Sequence, residues 1–237
     1  MKTLRVFLIV VLAAVSILAV SVPSLAEGVG IITQMGVDNS AYVYQELLSD
    51  VIIMQRGDEN SASVEQEGAE HLAGVGQVGD QNEIEIKQLG QKDLIFAIQQ
   101  GMGNSINITQ MHSAAAGSTQ RNISDNDAFI YQSGLYNIVN LMQVGDDNTA
   151  SVYQIDDQNE AFIVQEQSIL ATGANAAFVV QVGIGNWAAS QQLGANQVSR
   201  SLQMGDENSS LINQEGIDND ASVSQTGNQN SAIVNQG

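Results

Sequence analysis

Glutamine side chains at a fixed spacing are the residues of this chain that offer the clearest chemistry. The unit is most regular from Gln55 to Gln66, where Gly57 follows the first glutamine by two places and Asn60 and Val64 precede the next one. A primary amide carries two N–H donors and a carbonyl acceptor. Amides brought together at one register can therefore hydrogen-bond to one another in a continuous column. This chemistry predicts a structural ladder rather than a catalytic centre.

The repeat extends over almost the whole chain. With Arg121 in one glutamine place, there are 19 anchor positions and 18 steps, of which 16 are eleven residues long. Asparagine stands six places before the anchor in 13 of the 19 cases. Residues that recur at fixed positions of a constant period indicate a repeat architecture. The glutamines predicted to form an inward amide ladder are Gln34, Gln45, Gln55, Gln66, Gln77, Gln88, Gln99, Gln110, Gln132, Gln143, Gln154, Gln165, Gln181, Gln192, Gln203, Gln214, Gln225 and Gln236. The asparagines predicted to join it are Asn39, Asn60, Asn82, Asn104, Asn126, Asn137, Asn148, Asn159, Asn175, Asn186, Asn208, Asn219 and Asn230.

Each unit predicts one strand followed by one tight turn. Side chains alternate in a strand, so the asparagine, two small or aliphatic residues and the glutamine share one face. The apolar pair, for example Ala62 and Val64, marks that face as the inward one. Glycine accepts positive φ without steric cost, which suits the turn. The predicted turn glycines are Gly36, Gly57, Gly68, Gly79, Gly90, Gly101, Gly134, Gly145, Gly183, Gly194, Gly205, Gly216 and Gly227.

Identical residues in successive units indicate how the strands are arranged. A hairpin barrel does not need the same residues in every strand, whereas a coil of two strands stacks each strand on the one two units away. Glutamine then lies on glutamine and valine on valine, and the buried amides are paired by the repeat itself. The sequence therefore predicts an all-β fold, a two-sheet parallel in-register β-solenoid of stacked strand–turn–strand coils with about 22 residues per coil. About nine coils at roughly 4.8 Å each would be about 43 Å long.

The first residues, 1–26, have the features of a secretory signal peptide. Lys2 and Arg5 precede the apolar run Val6–Val20, and a small-x-small cleavage site ends at Ala26. A transmembrane anchor is the alternative, but the run is short for a span of about 20 residues. We therefore expect an exported mature chain without a membrane span.

The rest of the chain is predicted to form one repeat domain. Residues 27–33 are a short lead-in and residues 34–237 are the repeats, interrupted by an insertion near 166–174. The repeats start soon after the lead-in and run to the last residues, without the polar caps of soluble repeat proteins. Open strand edges at both ends are templates for another chain. This pattern predicts a homopolymer formed by end-to-end stacking.

Composition excludes several classes of function. The 237 residues include no cysteine and carry a formal net charge of −19. The lack of cysteine argues against a disulfide framework or a thiolate metal site, and the acidic balance argues against nucleic-acid binding. A β-helix hydrolase needs carboxylates or histidines gathered in a groove, but the carboxylates here fall at turn or outward positions. We expect no enzyme activity, no metal and no cofactor.

Acidic residues are concentrated in the turns. Stacked carboxylates could bind calcium, but the nonapeptide calcium repeat has a different period and sequence. We favour charge gatekeepers that delay association. These gatekeepers are Asp58, Glu59, Asp80, Asp146, Asp147, Asp206 and Glu207. His71, at an asparagine place, and His112, at a glycine place, are interpreted as sequence drift rather than as ligands.

The unit resembles the curlin repeat, Ser-x5-Gln-x-Gly-x-x-Asn-x-Ala-x3-Gln. The residues that match every place are Ser49, Gln55, Gly57, Asn60, Ala62 and Gln66. From the first glutamine onward the pattern recurs at Gln143–Gln154 and at Gln225–Gln236. The chain is thus similar to the curli fibre subunits of bacteria over nearly all of residues 34–237. The resemblance implies a secreted functional amyloid on the bacterial cell surface, which builds biofilm matrix and adheres to surfaces. It also implies a nucleator, a secretion channel and a chaperone as partners.

Two features depart from the family's major subunit. Residues 27–30 pass directly into the repeats, without a segment rich in glycine and asparagine. The chain is also longer. Its last repeat is regular and has no lysine or arginine, unlike that of the family's nucleator, which favours a major-type subunit. The alternatives are a nucleator of another curlin subunit and a soluble or surface-attached β-solenoid adhesin, which would be a stable monomer.

Overall fold

The computed structural model describes residues 28–112, 125–167 and 173–237, and these residues contain eighteen strands and no helix. The strands are β1 Gly30–Met35, β2 Ser40–Gln45, β3 Asp50–Arg56, β4 Ser61–Ala69, β5 Leu72–Asp80, β6 Glu83–Gln91, β7 Leu94–Met102, β8 Ser105–Met111, β9 Asp127–Leu135, β10 Ile138–Val144, β11 Thr149–Ile155, β12 Glu160–Glu166, β13 Ala176–Val182, β14 Trp187–Ala195, β15 Val198–Met204, β16 Ser209–Ile217, β17 Asp220–Thr226 and β18 Ser231–Gln236. The predicted signal peptide, Arg121 and residues 168–172 of the insertion lie outside the described residues.

The strands form two nine-stranded parallel sheets. The odd-numbered strands make one sheet, called here the odd sheet, in the order β1 to β17, and the even-numbered strands make the even sheet. Each coil contributes one strand to each sheet. The register is that of the repeat, so Gln55 pairs with Gln77 and Gln66 with Gln88. The predicted β-solenoid is confirmed.

The core lies between the sheets and is built from the small and aliphatic pair of each unit. In most strands burial alternates along the chain, as in β3, where Val51, Ile53 and Gln55 are buried and Ile52 is exposed. The largest fully buried apolar side chains are isoleucines, and no aromatic residue of the described chain is buried. Face-to-face sheets lie only about 10 Å apart, which explains why small and branched side chains fill the space.

Serine replaces the apolar pair in part of the C-terminal third. Ser190 and Ser199 face each other across the core with their Oγ atoms 2.6 Å apart, and Ser201 and Ser210 do the same. All four are buried. Each hydroxyl is hydrogen-bonded, so its burial is compensated. This polar layer separates the large apolar cluster from a small one around Ile212.

The stacking continues across both gaps in the described chain. Gln99 in β7 pairs with Gln132 in β9, and Gln154 in β11 pairs with Gln181 in β13. The insertion near residues 166–174 therefore leaves both sheets continuous. At the other end, β1 begins at Gly30, within the predicted lead-in.

Candidate functional site

The inward glutamines form two continuous hydrogen-bonded columns, one per sheet. Gln55 Nε2 donates to Gln77 Oε1 at 2.8 Å, and Gln77 Nε2 donates to Gln99 Oε1 at 3.0 Å. The same bond joins every neighbouring pair from Gln34 to Gln225 in the odd sheet and from Gln45 to Gln236 in the even sheet. In each pair the donor is the residue nearer the N-terminus.

A second hydrogen bond fixes the direction of most of the glutamine amides. Besides reaching Gln77, Gln55 Nε2 donates to the backbone carbonyl of Ser40 at 2.8 Å, and Gln77 Nε2 donates to that of Ser61 at 2.9 Å. The nitrogen must therefore face the opposite strand, because a carbonyl oxygen there could not donate. All the amide dipoles in a column consequently point the same way.

The inward asparagines form a column with the opposite direction. In the even sheet, Asn82 Nδ2 donates to Asn60 Oδ1, and Asn60 Nδ2 donates to Asn39 Oδ1, both at 3.0 Å. Asn82 Nδ2 also donates to the carbonyl of the turn residue Gly101, one coil further, at 2.9 Å. Asparagine therefore joins each turn to the turns of both neighbouring coils.

The thirteen glycines of the predicted turns all have positive φ, between 100° and 143°. Most of them also lie close to the backbone of the turn in the next coil, although Gly216 and Gly227 do not. A Cβ atom on Gly57 would overlap the carbonyl oxygen of Gly79 in the next coil. Glycine is thus required by both its backbone conformation and the close approach of the coils.

Three of the aspartates predicted to be gatekeepers bond to backbone rather than standing free in solvent. Asp58 Oδ1 accepts from the backbone N–H of Val37 at 2.8 Å, and Asp80 Oδ1 accepts from that of Asp58 at 2.9 Å. Asp206 Oδ1 accepts from Ile184 N at 3.0 Å. These carboxylates therefore satisfy a turn donor of the preceding coil, a role that the sequence interpretation did not include.

The remaining turn acids have other partners or face solvent. Glu59 and Glu207 each accept a hydrogen bond at 2.8 Å from a glutamine side chain of the next coil. Asp146 Oδ1 lies 3.0 Å from His112 Nδ1, and Asp147 is exposed. No group of three or more potential metal ligands occurs in the described residues.

His71 and Asp93 form a buried pair in the asparagine column of the odd sheet. His71 Nδ1 lies 3.3 Å from Asp93 Oδ2, and both side chains are fully buried. Burial lowers the pKa of His71, while hydrogen bonds to the backbone of Glu67 and Gly90 oppose the shift. The sequence interpretation treated His71 as drift and missed this pair. The signal was available, because Asp93 occupies the asparagine place 22 residues, or one coil, after His71.

Both ladders are incomplete at the edges of the two sheets. Within the described chain, β1, β2, β17 and β18 each pair on one side only. No described residue donates to the Oε1 atoms of Gln34 and Gln45. At the other edge, Gln225 Nε2 and Gln236 Nε2 each have one acceptor, a backbone carbonyl, and retain a second N–H. The N-terminal edge therefore presents free glutamine acceptors, and the C-terminal edge presents free glutamine donors.

Comparison with known families identifies the repeat. A sequence profile described as Curlin associated repeat matches residues 49–79, 57–90, 79–110, 124–155 and 202–227, which together cover half of the chain. No curated protein shows significant similarity to it. In the described residues no helix is long and apolar enough to cross a membrane. The eleven-residue period, the stacked coils and this match show that the chain belongs to the curlin-repeat family, which is structural rather than enzymatic.

Proposed function

We propose that this protein is a fibre subunit that stacks head to tail, with β17 and β18 of one copy pairing with β1 and β2 of the next. The observation that carries the proposal is the complementarity of the two edges. The N-terminal edge offers the free glutamine acceptors and the C-terminal edge offers the free glutamine donors. Unpaired strand edges of matching register template the addition of another chain.

The register of the repeat continues across such a joint. Extending the observed pairing places Ala221 over Gly30, Val223 over Ile32 and Gln225 over Gln34 of the next copy. Ile32 is 46% exposed in the single chain, although its equivalents in the following coils are buried. The joint would therefore bury apolar surface and complete both glutamine columns.

The direction of the ladders favours head-to-tail stacking over the pairing of like ends. Two N-terminal edges would bring glutamine acceptors against acceptors, and two C-terminal edges would bring donors against donors. Unpaired polar groups in a buried joint cost roughly 1–3 kcal/mol each. Head-to-tail stacking satisfies them all and also extends the asparagine column, since Asn39 would donate to Asn230.

Family membership supports the wider role. We propose that the fibres are extracellular, lie on the bacterial cell surface, and contribute to biofilm matrix and surface adhesion. A curli-type nucleator, secretion channel and chaperone are the proposed partners. The glutamine and asparagine columns and the turn glycines are proposed to carry the assembly, and the turn acids are proposed to restrain it.

A pair of cysteine substitutions tests the head-to-tail joint. Ser40 and Ser231 are exposed, lie on the outer side of the even sheet, and become register neighbours only across the joint. Neighbouring strands are about 4.8 Å apart, within the Cα separation that a disulfide needs. We expect the Ser40→Cys/Ser231→Cys protein, assembled under reducing conditions and then oxidised, to give a covalent ladder of oligomers on a denaturing gel.

Proteins with a single cysteine test whether the copies stack head to tail or through like ends. An equimolar mixture of Ser40→Cys and Ser231→Cys proteins should give covalent dimers, and each alone should run as a monomer. Dimers from either single variant would contradict head-to-tail stacking. Ser61→Cys mixed with Ser209→Cys is the matched control, because both serines lie in internal strands and should not cross-link. A wild-type protein that stays monomeric and unresponsive to thioflavin T and seeds would overturn the fibre function and favour the adhesin.

A further inference from the structure

The outer faces of the two sheets differ sharply in charge. The outward residues of the even-sheet strands include seven glutamates and one lysine. Those of the odd-sheet strands, before each turn glycine, include three aspartates and two arginines. Among these residues before the turn glycines, the strands from β5 to β13 carry a single outward charge, Asp127. We call this outward surface of β5, β7, β9, β11 and β13 the odd face.

The odd face is also apolar and rich in aromatic residues. Its larger apolar and aromatic members are Leu72, Val78, Leu94, Phe96, Ile98, Phe129, Tyr131, Tyr153, Ile155, Phe178, Val180 and Val182. The rings of Phe96 and Phe129 have centroids 5.3 Å apart, and those of Tyr153 and Phe178 are 6.2 Å apart. Phe178 is 43% exposed. A contiguous apolar surface of this kind marks an interaction site.

Glycine shapes the odd face at one point. A Cβ atom on Gly74 would lie 2.6 Å from Cδ1 of Phe96, so the Phe96 ring occupies the space above Gly74. Gly76, two residues further, has only ordinary contact with Ile98. The odd face therefore has a groove along β5, where glycines lack side chains, beside a ridge along β7. Grooves and ridges of this kind can interdigitate with the side chains of a second sheet.

We propose that the odd face binds the odd face of a second copy of this chain, so that two solenoids pair side by side. The distribution of charge supports a second copy as the binding partner. The chain carries a net charge of −19, and two copies meet the least like-charge repulsion through the odd face. The even face, with its glutamates, would remain in solvent.

The buried area and the coil spacing also support a second copy of the chain as the binding partner. Five strands of about seven residues give an odd face of roughly 23 by 24 Å, so pairing would bury about 550 Å² per copy and about 1,100 Å² in total. Biological protein interfaces bury more than about 1,000 Å² in total. Two solenoids also share one coil spacing, so side chains that interdigitate in one coil interdigitate in every coil, as in a dry sheet-to-sheet interface.

The test uses a protein that cannot stack end to end. In the internal coils Ser209 N donates to Asn230 O towards the C-terminus, and Val51 N donates to Val29 O towards the N-terminus. By strand alternation the N–H of Ile233 faces the open C-terminal edge and that of Val43 faces the N-terminal edge. Val43→Pro/Ile233→Pro, called here the end-blocked protein, therefore removes two edge donors and spares the internal ladder.

We expect the end-blocked protein to dimerise in sedimentation equilibrium, with circular dichroism showing an unchanged β fold. Adding Tyr153→Glu and Phe178→Glu, which place two charges on the odd face, should leave it monomeric. Adding Met142→Glu and Phe162→Glu is the matched control, because these residues are outward and similarly exposed on the even sheet; this protein should still dimerise.

Lateral pairing does not depend on end-to-end stacking, so an experiment can contradict one proposal and leave the other intact. A monomeric end-blocked protein with an intact fold would overturn odd-face pairing even if the cysteine variants cross-link. Equal loss of the dimer in the even-sheet control would also overturn it, since charge alone would then be the cause. In wild-type fibres, electron microscopy should show paired solenoids that become single with the odd-face charges.

Discussion

His71 shows how a single substitution in a ladder column changes its chemistry. Its Nε2 lies 3.2 Å from the carbonyl oxygen of Glu67, and the backbone N–H of Asp93 donates to its Nδ1 at 3.3 Å. A neutral imidazole protonated at Nε2 satisfies both contacts. Protonation at Nδ1 would remove the acceptor for Asp93 N, and it would direct the proton towards Asp93 Oδ2, 3.3 Å away. Burial outweighs this contact and lowers the pKa of His71. Asparagine, the usual residue in this column, does not titrate.

The stability of the solenoid should therefore depend on this histidine in mildly acidic solution. Burial lowers the pKa of His71 below its ordinary value of 6.5, so the unfolded chain binds the proton more readily. The stabilisation from the neutral ring is fully present above pH 6.5 and is lost as the pH falls towards the lowered pKa. We expect the urea midpoint of the end-blocked protein to fall between pH 7.5 and 5.5, and to fall less in the His71→Asn variant.

The two aspartates with raised pKa values act in the opposite direction. Burial raises the pKa values of Asp125 and Asp127, so their protonation on acidification favours the folded state. His112→Asn is the matched control, because it changes the other described histidine, which is partly exposed. An equal pH response in wild type and His71→Asn would exclude the role of His71.

At the scale of the strand and its turn, the inward glutamine is predicted to be essential for stability. Gln99 accepts from Gln77 Nε2 at 3.0 Å and donates to Gln132 Oε1 at 3.0 Å and to Glu83 O at 2.9 Å. Leucine in its place would remove these three bonds and leave the buried Gln132 Oε1 without its donor, whereas Gln77 Nε2 would keep Ser61 O and Asn82 O as acceptors. An unpaired buried group costs roughly 1–3 kcal/mol, offset in part by the apolar side chain.

We expect Gln99→Leu to lower the free energy of unfolding of the end-blocked protein by about 2 kcal/mol or more. Gln236→Leu is the control, because Gln236 lies at the open edge, where it accepts from Gln214 and donates only to the exposed carbonyl of Asp220. It should cost little in urea unfolding but slow the growth of wild-type fibres. Similar losses for both variants would mean that the ladder stabilises no more than an ordinary edge contact.

The strands, the turns and the stacking could be predicted because one short pattern recurs with a constant period. Gln55 and Gln77 had to share a register once the coil contained two strands. Ladder direction could not be predicted, since an amide carries donor and acceptor alike and the sequence does not say which way it points. The serine layer at Ser190 and Ser201 was missed because serine suits both turns and small core positions. The pairing of His71 with Asp93 required comparison along a column rather than along the chain.

For the whole molecule, the distance of a charge from the joint should decide its effect on assembly. Asp58 and Asp206 lie in coils adjacent to the two terminal coils, whereas Asp146 and Asp147 lie near the middle of the solenoid. Charges are screened beyond about 10 Å at 0.1 M salt, and coils rise roughly 4.8 Å each. The predicted gatekeepers therefore divide into those that can repel an incoming copy and those that cannot.

Two pairs of substitutions that remove equal charge separate these classes. Asparagine can replace aspartate in the turn without loss of its hydrogen bond, because Asn228 Oδ1 already accepts from Asp206 N at 3.0 Å. We expect Asp58→Asn/Asp206→Asn to shorten the lag in thioflavin T fluorescence at pH 7 and 0.1 M salt, and Asp146→Asn/Asp147→Asn to leave it nearly unchanged. The lag of the wild type should shorten towards pH 4, where carboxylates begin to protonate. Equal acceleration by both pairs would show that total charge, not position, restrains assembly, and a rate independent of pH between 7 and 4 would exclude gatekeeping.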